Sequence, residues 1–271
     1  MIIFPPAKIN IGLQVTGKRS DGYHSIESVF YPIPLTDVLE LLPNEKSGLA
    51  FETFGLTIPA DGQENLCQKA YRLLDQRHGL PGMKASLLKN IPTGAGLGGG
   101  SSDASAMINL IDAIANLQLN YNQKKEIAAE LGSDCPYFIQ PQAAFVRGRG
   151  EIINAHPLSL NGKYLVLVHP NIHVPTADAY RRIKPKAASF DLQKLEKLDI
   201  REWKDVVFND FEAGIFDLHP VLNEIKESMY QLGATYASMS GSGSSIYGIF
   251  DIPPVNLECF NDYFCWSGTL Q

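Results

Sequence analysis

Several things are missing from this 271-residue chain, and each absence removes a class of function. No window holds 18 consecutive apolar residues, so nothing reads as a membrane span. The opening MIIFPPAKIN has neither a basic region nor a long apolar one, so no secretory leader is expected. Cysteine is scarce: four residues, at 67, 135, 259 and 265, form no C-x-x-C pair. They read as reduced thiols of a cytoplasmic protein, neither a disulfide framework nor a zinc set. His169 and His173 stand four apart, but a proline and a strand pattern intervene, so no metal site is assigned. Net positive charge is also missing. The formal charge of −6 argues against nucleic acid as the main partner. Basic residues gather only locally, at Lys18-Arg19, Arg147/Arg149 and Arg181-Arg182. Each group reads as a solvated face, with phosphate contact as the alternative.

What is present suffices for a sizeable core: 45% hydrophobic and 19% charged residues in a length that suits one large or two ordinary domains. In KINIGLQV (8–15), Ile9, Ile11, Leu13 and Val15 share one face of a strand, and Lys8 and Asn10 project from the other. Further strands are expected at 37–42, 49–54, 84–88 and 163–170, with a strand–turn–strand at 235–250. Helical spacing appears at 64–78, after residue 101, at 122–131 behind a possible Asn122 cap, and near 176–183, 205–216 and 220–232. Strands and helices mix without a regular βαβ rhythm, so the fold class is α+β, with a boundary near 150–162.

The densest signal is NIPTGAGLGGGSSDAS (90–105), with glycines at 94, 96, 98, 99 and 100. Gly94, Gly96 and Gly99 spell the dinucleotide fingerprint, but several strands precede them and no acid ends a following strand. A second decoy, Gly12 to Lys18, resembles a P-loop but ends in Arg19 and alternates like a strand. The remaining reading is a strand ending at Lys89, a glycine loop, and a helix capped by Ser101 or Ser102. That arrangement aims backbone N–H groups and a helix N-terminus at one anion. Asp103 is read as a first-turn acid, with magnesium ligation as the alternative. Asp134, before Cys-Pro-Tyr-Phe, reads from the residues alone as an N-cap acid or a catalytic base.

Pro92 to Ser102 resembles the ATP-binding signature of the GHMP small-molecule kinases. Pro6-Ala7-Lys8-Ile9-Asn10 is similar to that family's N-terminal motif, and Ser240-Gly241-Ser242-Gly243 to its C-terminal glycine motif. Four segments resemble the branch that phosphorylates cytidine-diphospho methylerythritol: Arg19 to His24, Gly96 to Ser102, Leu131 to Phe138, and His169-Pro170 through Pro175-Thr176 to Tyr180. Three positions depart from the pattern without changing chemistry. Ser240 and Ser242 stand where relatives often carry Thr, and Tyr180 where some carry Phe.

The resemblance implies a two-domain fold, ATP-binding over 1–155 and C-terminal over 156–271, with the active site in the cleft between domains. It implies transfer of the ATP γ-phosphate to the 2-hydroxyl of the cytidine-diphospho sugar alcohol, with Mg²⁺, on the non-mevalonate route to isoprenoid precursors. Lys8 and Asp134 would be catalytic. Pro92, Thr93, Gly94, Ala95, Gly96, Leu97, Gly98, Gly99, Gly100, Ser101 and Ser102 would hold the phosphates, and Asn65 and Lys89 would flank adenine. Asn10, Tyr23, His24, Phe30, Thr176 and Tyr180 would bind the cytidine substrate. The protein would work in the cytoplasm as a monomer or homodimer, without membrane or nucleic acid. Another GHMP kinase, for homoserine, mevalonate or a sugar, and a non-catalytic nucleotide-binding regulator are the alternatives.

Overall fold

A computed structural model describes residues 1–59, 62 and 64–271. In chain order its elements are β1 (Ile2–Ile3), β2 (Pro6–Lys18), β3 (His24–Thr36), β4 (Val38–Pro43), β5 (Leu49–Gly55), α1 (Leu66–His78), β6 (Met83–Lys89), α2 (Gly99–Ala115), α3 (Tyr121–Leu131) and α4 (Cys135–Phe138). There follow β7 (Ala144–Gly148), β8 (Ile152–Ala155), β9 (Tyr164–His169), α5 (Thr176–Arg182), α6 (Trp203–Val206), α7 (Glu212–Leu218), α8 (Pro220–Gln231), β10 (Tyr236–Met239), β11 (Ile246–Phe250) and β12 (Phe264–Thr269). Two compact units share the chain: Met1–Ala7, Leu35–Thr93 and Gly98–Pro141 form one, and Lys8–Pro34, Gly94–Leu97 and Gln142–Gln271 the other. They interleave, so residues 8–34 and 142–155 group with the C-terminal part of the chain.

The first unit holds the sheet β1-β4-β6-β5. Leu39 and Leu41 of β4 pair with Leu87 and Ala85 of antiparallel β6, and Phe51 of parallel β5 pairs with Ala85. The alternate residues on this face pack with Cys67, Ala70 and Leu74 of α1 and Met107, Ile108 and Ile111 of α2. Helix α1 supplies the crossover that two parallel strands require. It starts on Asn65, whose Oδ1 accepts the Cys67 N–H at 2.9 Å, and ends on left-handed Gly79.

Two caps differ from expectation. Helix α2 is capped by Gly98 at φ 71°, with no side-chain hydrogen bond, so Ser101 and Ser102 lie inside its first turn. A left-handed glycine turns the loop directly into the helix, leaving no work for a serine cap. Helix α3 begins on Asn120, not Asn122. A reciprocal pair of bonds between Asn120 and Gln123 forms a capping box there.

The second unit holds two sheets, β2-β3-β7-β8 and the fully antiparallel β10-β11-β9-β12. Leu222, Ile225 and Met229 of α8 pack with Ala237 and Met239 of β10 and Ile246 and Phe250 of β11. The expected helix at 205–216 is two, α6 and α7. Between them, residues 207–210 run extended along β2: the Leu13 N–H donates to Phe208 O at 3.0 Å and the Asp210 N–H to Leu13 O at 2.8 Å. Strands β1, β3, β7, β8 and β12 were not expected. Prolines 32 and 34 interrupt the alternation of β3, and β8 has only four residues. The P-loop decoy at 12–18 lies within β2, as its alternation indicated. Among the described residues no helix is long and apolar enough to cross a membrane.

Candidate functional site

Strand β2 places Lys8 and Asn10 on one side, as their parity requires. That side is not solvated: Lys8 is 3% and Asn10 2% exposed. Burying an ammonium is costly unless polar groups meet it. Lys8 Nζ donates to Asn10 Oδ1 at 2.5 Å and to Gly96 O at 2.9 Å, and lies 4.8 Å from the centre of the Phe30 ring. Asn10 is held in turn, its amide donating to Ser28 Oγ at 2.9 Å. The Tyr247 hydroxyl donates to the Asn10 carbonyl at 2.8 Å.

The Gly94–Leu97 stretch belongs to the same unit as Lys8. The Lys8 N–H donates to Leu97 O at 3.0 Å, and the Ser245 N–H to Ala95 O at 3.2 Å. The Ser240 hydroxyl donates to Gly96 O at 2.9 Å. A Cβ on Gly96 would lie 2.0 Å from the Ser240 carbonyl oxygen, at a φ of +79°. Glycine there is demanded by the protein's own packing, in addition to any ligand. The C-terminal glycine turn and the glycine loop thus meet backbone to backbone, across a sequence distance that only the fold closes.

His24 and Tyr180 stack on each other, centroids 4.8 Å apart and planes 16° apart, and Phe211 meets Tyr180 edge-on at 4.9 Å. Tyr23 is 58% exposed, with the Arg149 guanidinium 4.9 Å from its ring centre. Phe30 is buried against Lys8. Thr176 opens α5, and its hydroxyl lies 3.2 Å from Ser242 Oγ. His169 is buried against Ser244 Oγ, and burial pushes its imidazole down to about 4. Among the described residues no group of three or more His, Cys, Asp and Glu could hold a metal ion, and the four cysteines are free.

In the first unit, Lys89 is not a surface lysine. Its ammonium sits between Asp37 and Asp103, 2.8 Å from Asp103 Oδ2. Asp37 also accepts the N–H groups of Asn90 and Ile91 at 2.6 and 2.8 Å, fixing the chain as it leaves β6. Asp103 is therefore an internal ion partner, not a first-turn helix acid. Burial pushes its carboxyl up to about 7 despite the pull of Lys89. Ser102 Oγ, nearly inaccessible, has no hydrogen-bond partner among the described residues. An orphaned hydroxyl at a glycine-capped helix start fits a phosphate or a phosphate-bound cation. Asp134 precedes α4 at the N-cap position, yet its side chain makes no capping bond, and Pro136 follows. Asp37, Ser28, Asn209 and Glu212 were not singled out from the sequence, because their partners are remote and no local period marks them.

The chain is similar to known proteins. Residues 65–148 match the family model described as GHMP kinases N terminal domain, and 191–254 the one described as GHMP kinases C terminal. The 4-diphosphocytidyl-2-C-methyl-D-erythritol kinase of Bacteroides fragilis is 48% identical over 274 residues, and that of Parabacteroides distasonis 43% over 273, each covering 100% of both chains. A solved structure described as 4-(cytidine 5'-diphospho)-2C-methyl-D-erythritol kinase superimposes with a TM-score of 0.85 at 33% identity, covering 100% of this chain and 99% of its own. The α+β, GHMP-kinase-like fold expected from the motifs is the one observed. This chain belongs to the GHMP kinase family of small-molecule kinases, and within it to the 4-diphosphocytidyl-2-C-methyl-D-erythritol kinases.

Proposed function

We propose that this protein moves the γ-phosphoryl group of ATP to the 2-hydroxyl of 4-diphosphocytidyl-2-C-methyl-D-erythritol, giving the 2-phosphate and ADP, in the non-mevalonate route to isoprenoid precursors. The observation that carries the reading is Lys8: a buried ammonium held on the carbonyl of Gly96, a residue of the glycine loop. A cation fixed on a phosphate-binding loop suits a reaction in which charge must be neutralised more than bonds need covalent help.

The residues divide the work as follows. Backbone N–H groups of 94–100 and the start of α2 receive the ATP phosphates, with Asn65 and Lys89 on the adenine side. Lys89 acts there indirectly, through its ion pair with Asp37, which accepts the N–H groups of Asn90 and Ile91. The Ser102 hydroxyl would hold Mg²⁺, which would supply charge neutralisation for the phosphates. Asn10, Phe30, Thr176, His24, Tyr180 and Tyr23 receive the cytidine substrate, the rings offering faces to the base. Asp134 accepts the 2-hydroxyl proton as the new P–O bond forms and the bond to the β-phosphate breaks. Lys8 orients the hydroxyl and stabilises the transferring charge.

An ADP-release assay over the cytidine-diphospho substrate, mevalonate, homoserine and galactose tests the proposal. Turnover is expected on the first alone; turnover on another would move the chain to a different GHMP activity, and none at all would favour a nucleotide-binding regulator. Asp134→Ala should lower kcat by about 10²-fold or more while ATP still binds. Near-normal turnover would remove Asp134 from the mechanism.

A further inference from the structure

The extended segment between α6 and α7 makes two sets of bonds. Its backbone runs along β2, the strand that carries Lys8 and Asn10, through Leu13 to Phe208 and Asp210. Its side chain Asn209, 3% exposed, faces the other way. The Asn209 Nδ2 donates to Met239 O and Gly241 O, both at 2.8 Å, and its Oδ1 accepts the Phe211 N–H at 3.0 Å. The accepted N–H fixes which end of the amide faces the two carbonyls. Glu212, one turn on, holds the same segment from its donor side. Its Oε1 accepts the Met239 N–H at 2.8 Å and the Ser238 hydroxyl at 3.0 Å, and its Oε2 accepts Lys226 Nζ at 2.7 Å.

Residue 240, between the two carbonyls that Asn209 grips, touches the loop through its side chain. Its hydroxyl donates to Gly96 O and accepts the Asn10 N–H at 3.3 Å. Gly96 O also receives Lys8 Nζ, so both of its lone pairs are engaged. The missing Cβ at Gly96 lets the two backbones close to contact, which leaves no slack: movement of Ser240 moves the Gly96 carbonyl and the ammonium on it.

We propose that Asn209 is a positioning residue for Lys8, acting through the 239–241 turn and the carbonyl of Gly96. The proposal rests on the reading of Lys8 as a catalytic residue. Misplacement of a catalytic group by about 1 Å costs on the order of 10²-fold in rate.

The test is a double-mutant cycle on the full chain. Asn209→Leu, similar in volume but without donors, should lower kcat by roughly 10- to 100-fold, with both KM values within about threefold of the parent. Asn209→Asp, which keeps the shape and sets an oxygen against two carbonyls, should do the same and serves if the leucine variant does not fold. In a Lys8→Met background either change should cost less than about twofold, because the group being positioned is gone. Ser240→Ala should reproduce the loss, and Ser240→Thr, which retains the hydroxyl, should recover it. Losses that multiply in the Lys8→Met background would overturn the proposal, as would a normal kcat in both Asn209 variants. If Lys8→Met alone leaves kcat unchanged, the catalytic reading itself fails, and the single variant shows that separately.

Discussion

Lys8 and Lys89 are each 3% exposed. Lys8 is held by a carbonyl and an amide oxygen, Lys89 by two carboxylates. The second arrangement is structural. Removing the cation leaves two buried carboxylates together, so Lys89→Met should cost about 3–5 kcal/mol in urea unfolding. Asp103→Asn should cost far less and should change the pH response. The Asp103 carboxyl is raised from the usual carboxylate range to about 7, so the folded state keeps a proton that the unfolded chain has lost. Its contribution is full below about pH 4 and fades as pH rises through 7. The asparagine variant should therefore gain relative to the parent between pH 5 and pH 8; a parallel pH dependence would show that the carboxyl does not titrate there. The shared parity of Lys8 and Asn10 was legible in the sequence, since a strand's period is two. The burial of Lys89 was not, because its partners lie 52 and 14 residues away.

At the scale of elements, the glycine loop and α2 were recognisable from glycine density followed by helical spacing. What each glycine does was not. Gly98 is left-handed and caps α2 in place of a serine. Gly96 is needed where Ser240 O approaches, and those two residues are 144 positions apart. Gly96→Ala should consequently act on the loop before it acts on the fold. The added Cβ lies 2.0 Å from backbone, so the loop must shift. The expected result is an ATP KM at least about tenfold higher, with Lys8 displaced and kcat lowered as well. Unchanged nucleotide affinity in a folded variant would mean that the loop tolerates the shift and does not hold phosphate by close backbone approach. The split of 205–216 into α6 and α7 has the same origin. Local spacing favours one helix, but 207–210 gain β2 as a hydrogen-bonding partner, and tertiary pairing overrides propensity.

For the molecule as a whole, acid sensitivity is expected from His169. Burial holds its imidazole near 4, below the usual histidine range, so the unfolded chain takes up a proton that the folded chain refuses. Stability is full above about pH 6.5 and falls as pH drops toward 4. Both tryptophans, Trp203 and Trp266, lie in the same unit as His169, so their fluorescence reports its unfolding. The urea midpoint should drop between pH 7.5 and pH 4.5 in the parent and drop less in His169→Gln; equal drops would assign the acid sensitivity to other groups. The sequence by itself determined the fold class and the family, and it marked the glycine loop, because periodicity, glycine density and short motifs are local properties. Only the tertiary structure decided that Lys8 is buried on Gly96, that Lys89 is an internal ion partner, and that Asn209 grips the turn beneath the loop. Those contacts join residues 14 to 88 positions apart, where no local pattern records the partner and packing alone selects it.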